Sequence, residues 1–271
     1  EMSSRGLGDV YKRQIKGSDA FIVRHGSSEN VLGIEKHVPN SATFHLWKNH
    51  DFAVGDTLVV AEANCRQIGV FQMSGPNSGN SNVIVHNANQ GGGNASDNCT
   101  KDLKGHFSCS LACKANGCPN SVAQPYGPGS KIMKFEANAY YIGLSPAYAG
   151  TNLENLPVLY RQQLSSEGKL ATRAVELAAG VESLNMIYGV DRTGNGEVDQ
   201  FITADAMDLD GSGFITSDEW AKVTAVRVQL ILRSMDPVYP SDQTVIVDGR
   251  EFNDRFLRQG FSQTVQLRNH G

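Results

Sequence analysis

The alternation of Val226, Val228, Leu230 and Leu232 with Arg227, Gln229, Ile231 and Arg233 constrains this chain most. Successive side chains of a strand point to opposite faces, so this period places four apolar residues on one face and mainly polar ones on the other. Residues 264–268 repeat the pattern near the end of the chain. Shorter runs of the same kind occupy 20–24, 42–47, 57–61, 68–73 and 82–86, each bounded by Gly, Pro, Asn or Asp, as in antiparallel strands joined by turns. Residues 131–143, with Tyr140 and Tyr141, add a strand or hairpin, and 184–190 reads as a strand entering a glycine-rich turn. One segment has another period: Ala174, Leu177, Ala178 and Val181 recur at helical spacing, and Thr172 stands where it would cap a short amphipathic helix. The expected class is α+β, dominated by antiparallel sheet with short helices.

A chain of 271 residues can bury a full core. Residues 15–271 are expected to form one globular domain, with a polar insertion at about 75–129 that holds Gly91, Gly92, Gly93 and four of the cysteines. The net charge of -4 provides no basic field, which excludes nucleic acid and anionic membrane surfaces as partners. No stretch reaches the roughly 18 to 20 apolar residues that cross a bilayer. The opening SSRGLGDVYKRQ resembles translated sequencing adapter, so residues 1–14 are left out of fold reasoning and the true N-terminus is expected to be missing.

The five cysteines, Cys65, Cys99, Cys109, Cys113 and Cys118, fall in loop-like, polar sequence, which suits disulfides formed in an oxidising compartment. Their number is odd, so one is free or has lost its partner. Cys65 with Cys99 is a first candidate pair, although connectivity does not follow from sequence. A structural zinc site of His106, Cys109, Cys113 and Cys118 is the competing reading, weakened by the absence of C-x2-C knuckles.

Acidic spacing carries the sharpest chemistry. DLDGSGFITSDE, residues 208–219, fits the twelve-position calcium loop: Asp208, Asp210 and Ser212, the Phe214 carbonyl, Thr216 through water, and a bidentate Glu219 supply hard oxygen ligands. Gly213 gives the sharp turn, and Ile215 stands where such loops place an apolar residue. The bland alternative is a solvated acidic turn whose ligands never converge. A second, weaker loop runs through Asp191, Thr193, Asn195, the Glu197 carbonyl and Asp199, but its twelfth position is Ile202, so the bidentate acid is lacking. The loops start too close together for an ordinary pair of helix-loop-helix hands. Calcium is therefore expected as a structural staple between strands rather than the trigger of a sensor.

No catalytic pattern stands beside these loops. G-x-S-x-G, H-E-x-x-H and P-loop signatures are absent, the seven histidines are scattered, and Asp218 with Glu219 is already accounted for by the calcium loop. A non-enzymatic protein is expected.

Longer segments carry a family likeness. VELAAGVESLNMIYGVDRTGNGEVDQFITADAM, then Trp220, VTAVRVQLILRS and FLRQGFSQTVQLRN, resemble the PilW family of type IV pilus minor pilins. GSDAFIVRHG, GDTLVVAEANCRQIGVFQ and KIMKFEANAYYIG, followed by Leu159, Tyr160 and Arg161, look like that family's core strands. The resemblance implies a pilin-like head whose long apolar N-terminal helix, missing from this sequence, anchors it in the inner membrane before it enters the pilus. It also implies a structural role: minor pilins associate with one another, prime pilus assembly and sit near the tip with a tip adhesin. Adhesion and twitching motility would depend on such assembly. Calcium at Asp208 is not part of that inheritance and rests on spacing alone. A type II secretion pseudopilin and a free secreted calcium-dependent binding or hydrolytic domain are the alternatives.

Overall fold

The computed structural model describes residues 14–76, 81–88, 98–105, 118, 120–164 and 174–267. Residues 1–13, Thr172 and the proposed ligands His106, Cys109 and Cys113 lie outside them. The described residues are overwhelmingly β, with one α-helix of four residues, α1 (Ser217–Trp220), and three short 3-10 turns. The expected α+β class with packed short helices is therefore corrected to a β-rich fold. Two compact units divide the chain.

The first unit is built mainly from 23–138. Its strands come from β1 (Phe21–Gly26), β2 (Leu32–Val38), β3 (Thr43–Leu46), β4 (Thr57–Ala61), β5 (Ile68–Gln72), β6 (Val83–Val85), β7 (Lys104–Gly105), β8 (Ser121–Val122) and the first part of β9 (Lys131–Leu144). They run in the order β9-β2-β3-β6, with β4 pairing both β9 and β5. Ile34, Phe44, Phe52, Leu58, Val60 and Ile132 are fully buried at its centre. Beyond β4, the edge of β5 is closed by a side chain: Asn98 Oδ1 accepts the Gln72 N–H at 2.7 Å while its Nδ2 donates to the Gln72 carbonyl at 2.7 Å. The same Nδ2 also donates to the Asn87 carbonyl at 3.0 Å. A primary amide thus imitates the peptide of a neighbouring strand.

Among the described residues of this unit His37, His50 and His86 are buried, and two of them meet. His37 stacks on Phe44 with centroids 4.0 Å apart, and its Nε2 is 3.0 Å from Nε2 of His86. The backbone N–H of Tyr126 donates to His37 Nδ1 at 3.1 Å. His37 must then carry its proton on Nε2 and donate to His86, whose own proton is left on Nδ1. That Nδ1 is buried with no hydrogen-bond partner among the described residues. Burial drives both imidazoles toward the neutral form, lowering the His37 pKa to about 4 and, with His37 as an added influence, that of His86 to about 3.

The second unit takes the end of β9, then β10 (Pro157–Leu164), β11 (Val175–Ala179), β12 (Val181–Val190), β13 (Gln200–Ile202), β14 (Val223–Arg233), β15 (Gln243–Val247), β16 (Arg250–Asp254) and β17 (Arg258–Gln266). Strands β9, β10 and β11 are neighbours, and a four-stranded antiparallel sheet runs β13-β12-β14-β17. The amphipathic helix expected around Ala174–Val181 is instead strand β11, a turn at Gly180 and the start of β12. Gly180 adopts φ +80°, its N–H donates to the Pro157 carbonyl and its carbonyl accepts from Arg233. A left-handed glycine breaks any helix at this point, and VELAA pairs with β10 instead.

Both faces of β14 are covered. Leu230 and Leu232 pack with Leu184, Met186 and Ile142 beneath Ile15 and Phe21. On the nominally polar face, Ile231 is 0% exposed, more buried than any residue of the apolar stripe. Arginine-aromatic contacts shield that face: Arg227 lies 3.7 Å from the centroid of Phe201, Arg233 4.3 Å from Phe256 and Arg258 4.1 Å from Phe252. Phe252 belongs to the β15-β16 hairpin, whose Asp248-Gly249 turn has φ of +51° and +77°. Positive φ at both central residues is the hairpin turn that matches strand twist. Arg258 is only 2% exposed in its side chain, and its guanidinium bonds Glu182 and Asp254 at 2.7 Å each. Those two carboxylates outweigh burial and hold Arg258 firmly charged, while Arg258 keeps Asp254 below the usual carboxylate range.

Candidate metal-binding loops

The two acidic segments connect neighbouring strands at one end of the four-stranded sheet. Residues 191–199 link β12 to β13, and 203–222 link β13 to β14. Val190, Met207 and Val223 form a small core between their roots, with Tyr188, Ile202, Leu209 and Val226 against it. The Asp191 N–H donates to the Lys222 carbonyl at 2.9 Å, tying the start of the first loop to the end of the second. Trp220 stands edge-on to Tyr188 at 5.0 Å.

In the longer loop three of the predicted residues, the acids, converge. Carboxylate oxygens of Asp208, Asp210 and Glu219 all lie within 4.8 Å of one another. Two oxygens bound to one calcium are separated by no more than about 5 Å, because each sits roughly 2.3–2.6 Å from the ion, so this cluster is compact enough for a single cation. The loop is folded by its own side chains. Asp208 accepts the N–H groups of Ser212 and Gly213 at 3.0 and 2.8 Å, and Asp210 accepts Ser212 at 2.9 Å. Ser212 Oγ donates to the Phe214 carbonyl at 3.1 Å, bringing two further predicted oxygens together. Gly211 and Gly213 supply the left-handed turns at φ +74° and +83°.

Glu219 closes the loop. Its Oε1 accepts the N–H of Leu209 at 2.6 Å and its Oε2 accepts the N–H of Thr216 at 2.7 Å, while Thr216 Oγ1 accepts the Glu219 N–H at 3.3 Å. This capping box starts α1 and fixes the acid that would be bidentate. Glu219 is buried, and the N–H of Thr216 chiefly holds its pKa below the usual carboxylate value. The Ser212 hydroxyl does the same for Asp210. Both acids therefore stay charged to a lower pH than an ordinary carboxylate, which suits a hard-cation ligand. Phe214 and Ile215 are exposed, and Ile215 pairs with no second loop among the described residues.

The shorter loop is differently organised. Asp191 is buried and gathers the N–H groups of Gly194, Asn195 and Gly196, with Gly196 the main cause of its lowered pKa. Asp199 Oδ2 accepts the N–H groups of Arg192 and Thr193, and the Glu197 N–H donates to Asn195 Oδ1 at 2.8 Å. Thr193 bonds both aspartates, yet Asp191, Glu197 and Asp199 form no cluster of three converging carboxylates among the described residues. Of the cysteine candidates, Cys65 is a free and exposed thiol, so the Cys65-Cys99 pair is not formed. Sequence reasoning missed Arg258 and its two acids; the D-G turn at Asp248 was the available signal for the hairpin that carries Asp254.

Comparison with known families finds a pilus-assembly family whose model residues 139–269, just under half of the chain, match. That family is PilW, Type IV Pilus-assembly protein W, and residues 139–269 are similar to it. No curated protein and no solved structure matches. The match begins at Ala139, where the main part of the second unit starts, and takes in both acidic loops. Of the upstream segments expected to be family strands, only the end of KIMKFEANAYYIG falls within it. The family is concerned with pilus assembly rather than an enzyme activity. Among the described residues no helix is long and apolar enough to cross a membrane.

Proposed function

We propose that this protein is a structural minor pilin acting through protein-protein contacts within a pilus-assembly or tip complex, with other minor pilins and a tip adhesin as partners. The family match over 139–269 carries the reading. An inner-membrane anchor upstream of the described head would hold it in the periplasm before incorporation. The loop at 208–219 serves as a calcium-bound staple: Asp208, Asp210 and Glu219 would hold the ion, with Ser212, the Phe214 carbonyl and Thr216 completing its oxygen shell. The second loop, through Asp191, Thr193, Asn195, Glu197 and Asp199, is a weaker site of the same kind. The four remaining cysteines, Cys99, Cys109, Cys113 and Cys118, are proposed to form two bridges that order the polar insertion.

Deletion of the gene in its host tests the assembly role. Surface pili should disappear or fall sharply in number and return on complementation with the full-length gene. Normal piliation combined with loss of protein secretion would instead establish the pseudopilin alternative.

A further inference from the structure

We propose that β17 is a docking edge for a second copy of this chain, two β17 strands pairing antiparallel about a two-fold axis through Gln263. The proposal rests on the geometry of the sheet and is independent of the pilus reading. Among the described residues β17 pairs with β14 alone. Its nine residues are in unbroken register, with no bulge, proline or lysine, and no charged side chain from Gln259 to Gln266. Natural edges usually carry one of those devices to prevent strand addition. The other edge of the same sheet, β13, has only three residues.

The direction of the backbone groups selects the occupant. The Leu267 N–H donates to the Thr224 carbonyl, so odd-numbered residues turn toward β14. Gly260, Ser262, Thr264 and Gln266 therefore turn their N–H and C=O groups outward. A two-fold axis through Gln263 sets Ser262 opposite Thr264 and Gly260 opposite Gln266, each as a pair exchanging both hydrogen bonds. The intervening pairs are Phe261 with Val265 and Gln263 with itself, in the close, non-hydrogen-bonded positions where side chains meet most directly. Phe261 and Val265 are 47% and 51% exposed, and they share a face with Leu230 and Val226, their partners on β14. Between Gly260 and Gln266 self-pairing thus brings apolar residue to apolar residue twice without opposing any charges. The Gln263 side chain now bonds the outward Thr264 carbonyl at 3.1 Å, occupying the acceptor that the partner's Ser262 N–H would take.

The test measures the mass of the full chain in solution over a range of concentrations. Wild type should dimerise. Gln263→Lys and Gln263→Glu each place like charges across the axis and should weaken the dimer about tenfold or more, with the folded monomer's circular-dichroism spectrum unchanged. Mixing the two variants should restore dimerisation, because opposite charges then face each other. A monomeric wild type, or dimers that persist in both single variants, would overturn the proposal. So would failure of the mixture to recover.

Discussion

The Nε2 atoms of His37 and His86 lie 3.0 Å apart inside the first unit, and the chain of hydrogen bonds that joins them has a place for only neutral rings. An added proton would set one N–H against another across a buried, aromatic-lined contact. Both folded-state pKa values, about 4 and about 3, lie below the unfolded value near 6.5. The unfolded chain therefore binds more protons once the pH drops below about 6.5, and stability falls progressively until the folded-state values are passed. Denaturant melts of the first unit between pH 7 and pH 4 should show this loss. His86→Phe should flatten the dependence, and an unchanged slope in that variant would refute the assignment.

Calcium should raise the melting temperature of the protein and chelator should lower it, because a ligand that binds only the folded state stabilises it by mass action. Asp208→Ala combined with Glu219→Ala should abolish the difference. Glu219→Ala alone should also lower the melting temperature of the metal-free protein, since it removes half of a capping box. Equal melting with calcium and with chelator would remove the cation from the account.

Gly180→Ala should be far more harmful than its size suggests. The added methyl would sit 2.6 Å from the Arg233 carbonyl oxygen at a φ of +80°. Left-handed strain and the backbone clash together should cost about 2 kcal/mol or more, measured as a shift in denaturant midpoint with little change in slope.

Arg258 should prove more stringent than a surface arginine. Arg258→Met removes a guanidinium shared by Glu182 and Asp254, and should destabilise by about 1–3 kcal/mol because both acids are partly exposed and recover hydration. Arg258→Lys should not rescue, since one ammonium cannot reproduce two planar pairs. Asp254, held below the usual carboxylate range, adds stability that is present above about pH 4 and is lost as the pH falls through its folded value.

Thiol labelling of the folded protein should modify Cys65 alone, with full labelling only after reduction and unfolding. Rapid labelling of several cysteines in the native protein would dismiss the proposed bridges.

The strands were legible wherever alternation ended in turn residues. Residues 57–61 were expected as a strand and form β4 with the same limits, because the Gly55-Asp56 turn before them leaves little choice of start. The VELAA segment was misread because alanine and leucine satisfy helical spacing and strand alternation equally well. Only Gly180, as a left-handed joint, decides between them. The burial of Ile231 was hidden for another reason: its cover comes from arginines stacked on Phe201, Phe252 and Phe256, and single-strand patterning counts arginine as polar. At the acidic loop, spacing pointed to three acids whose oxygens converge but not to the three backbone N–H groups, from two segments, that fix Glu219, since those bonds depend on the loop already being closed.

Asn98 hangs the edge of the first unit on a single amide group. Its Nδ2 donates to two carbonyls, those of Gln72 and Asn87, so hydrolysis of this one amide to aspartate would replace a donor with a repelled oxygen at both. Ageing of the protein by a single atom exchange would then expose the flank of β5 to whatever strand lay nearby.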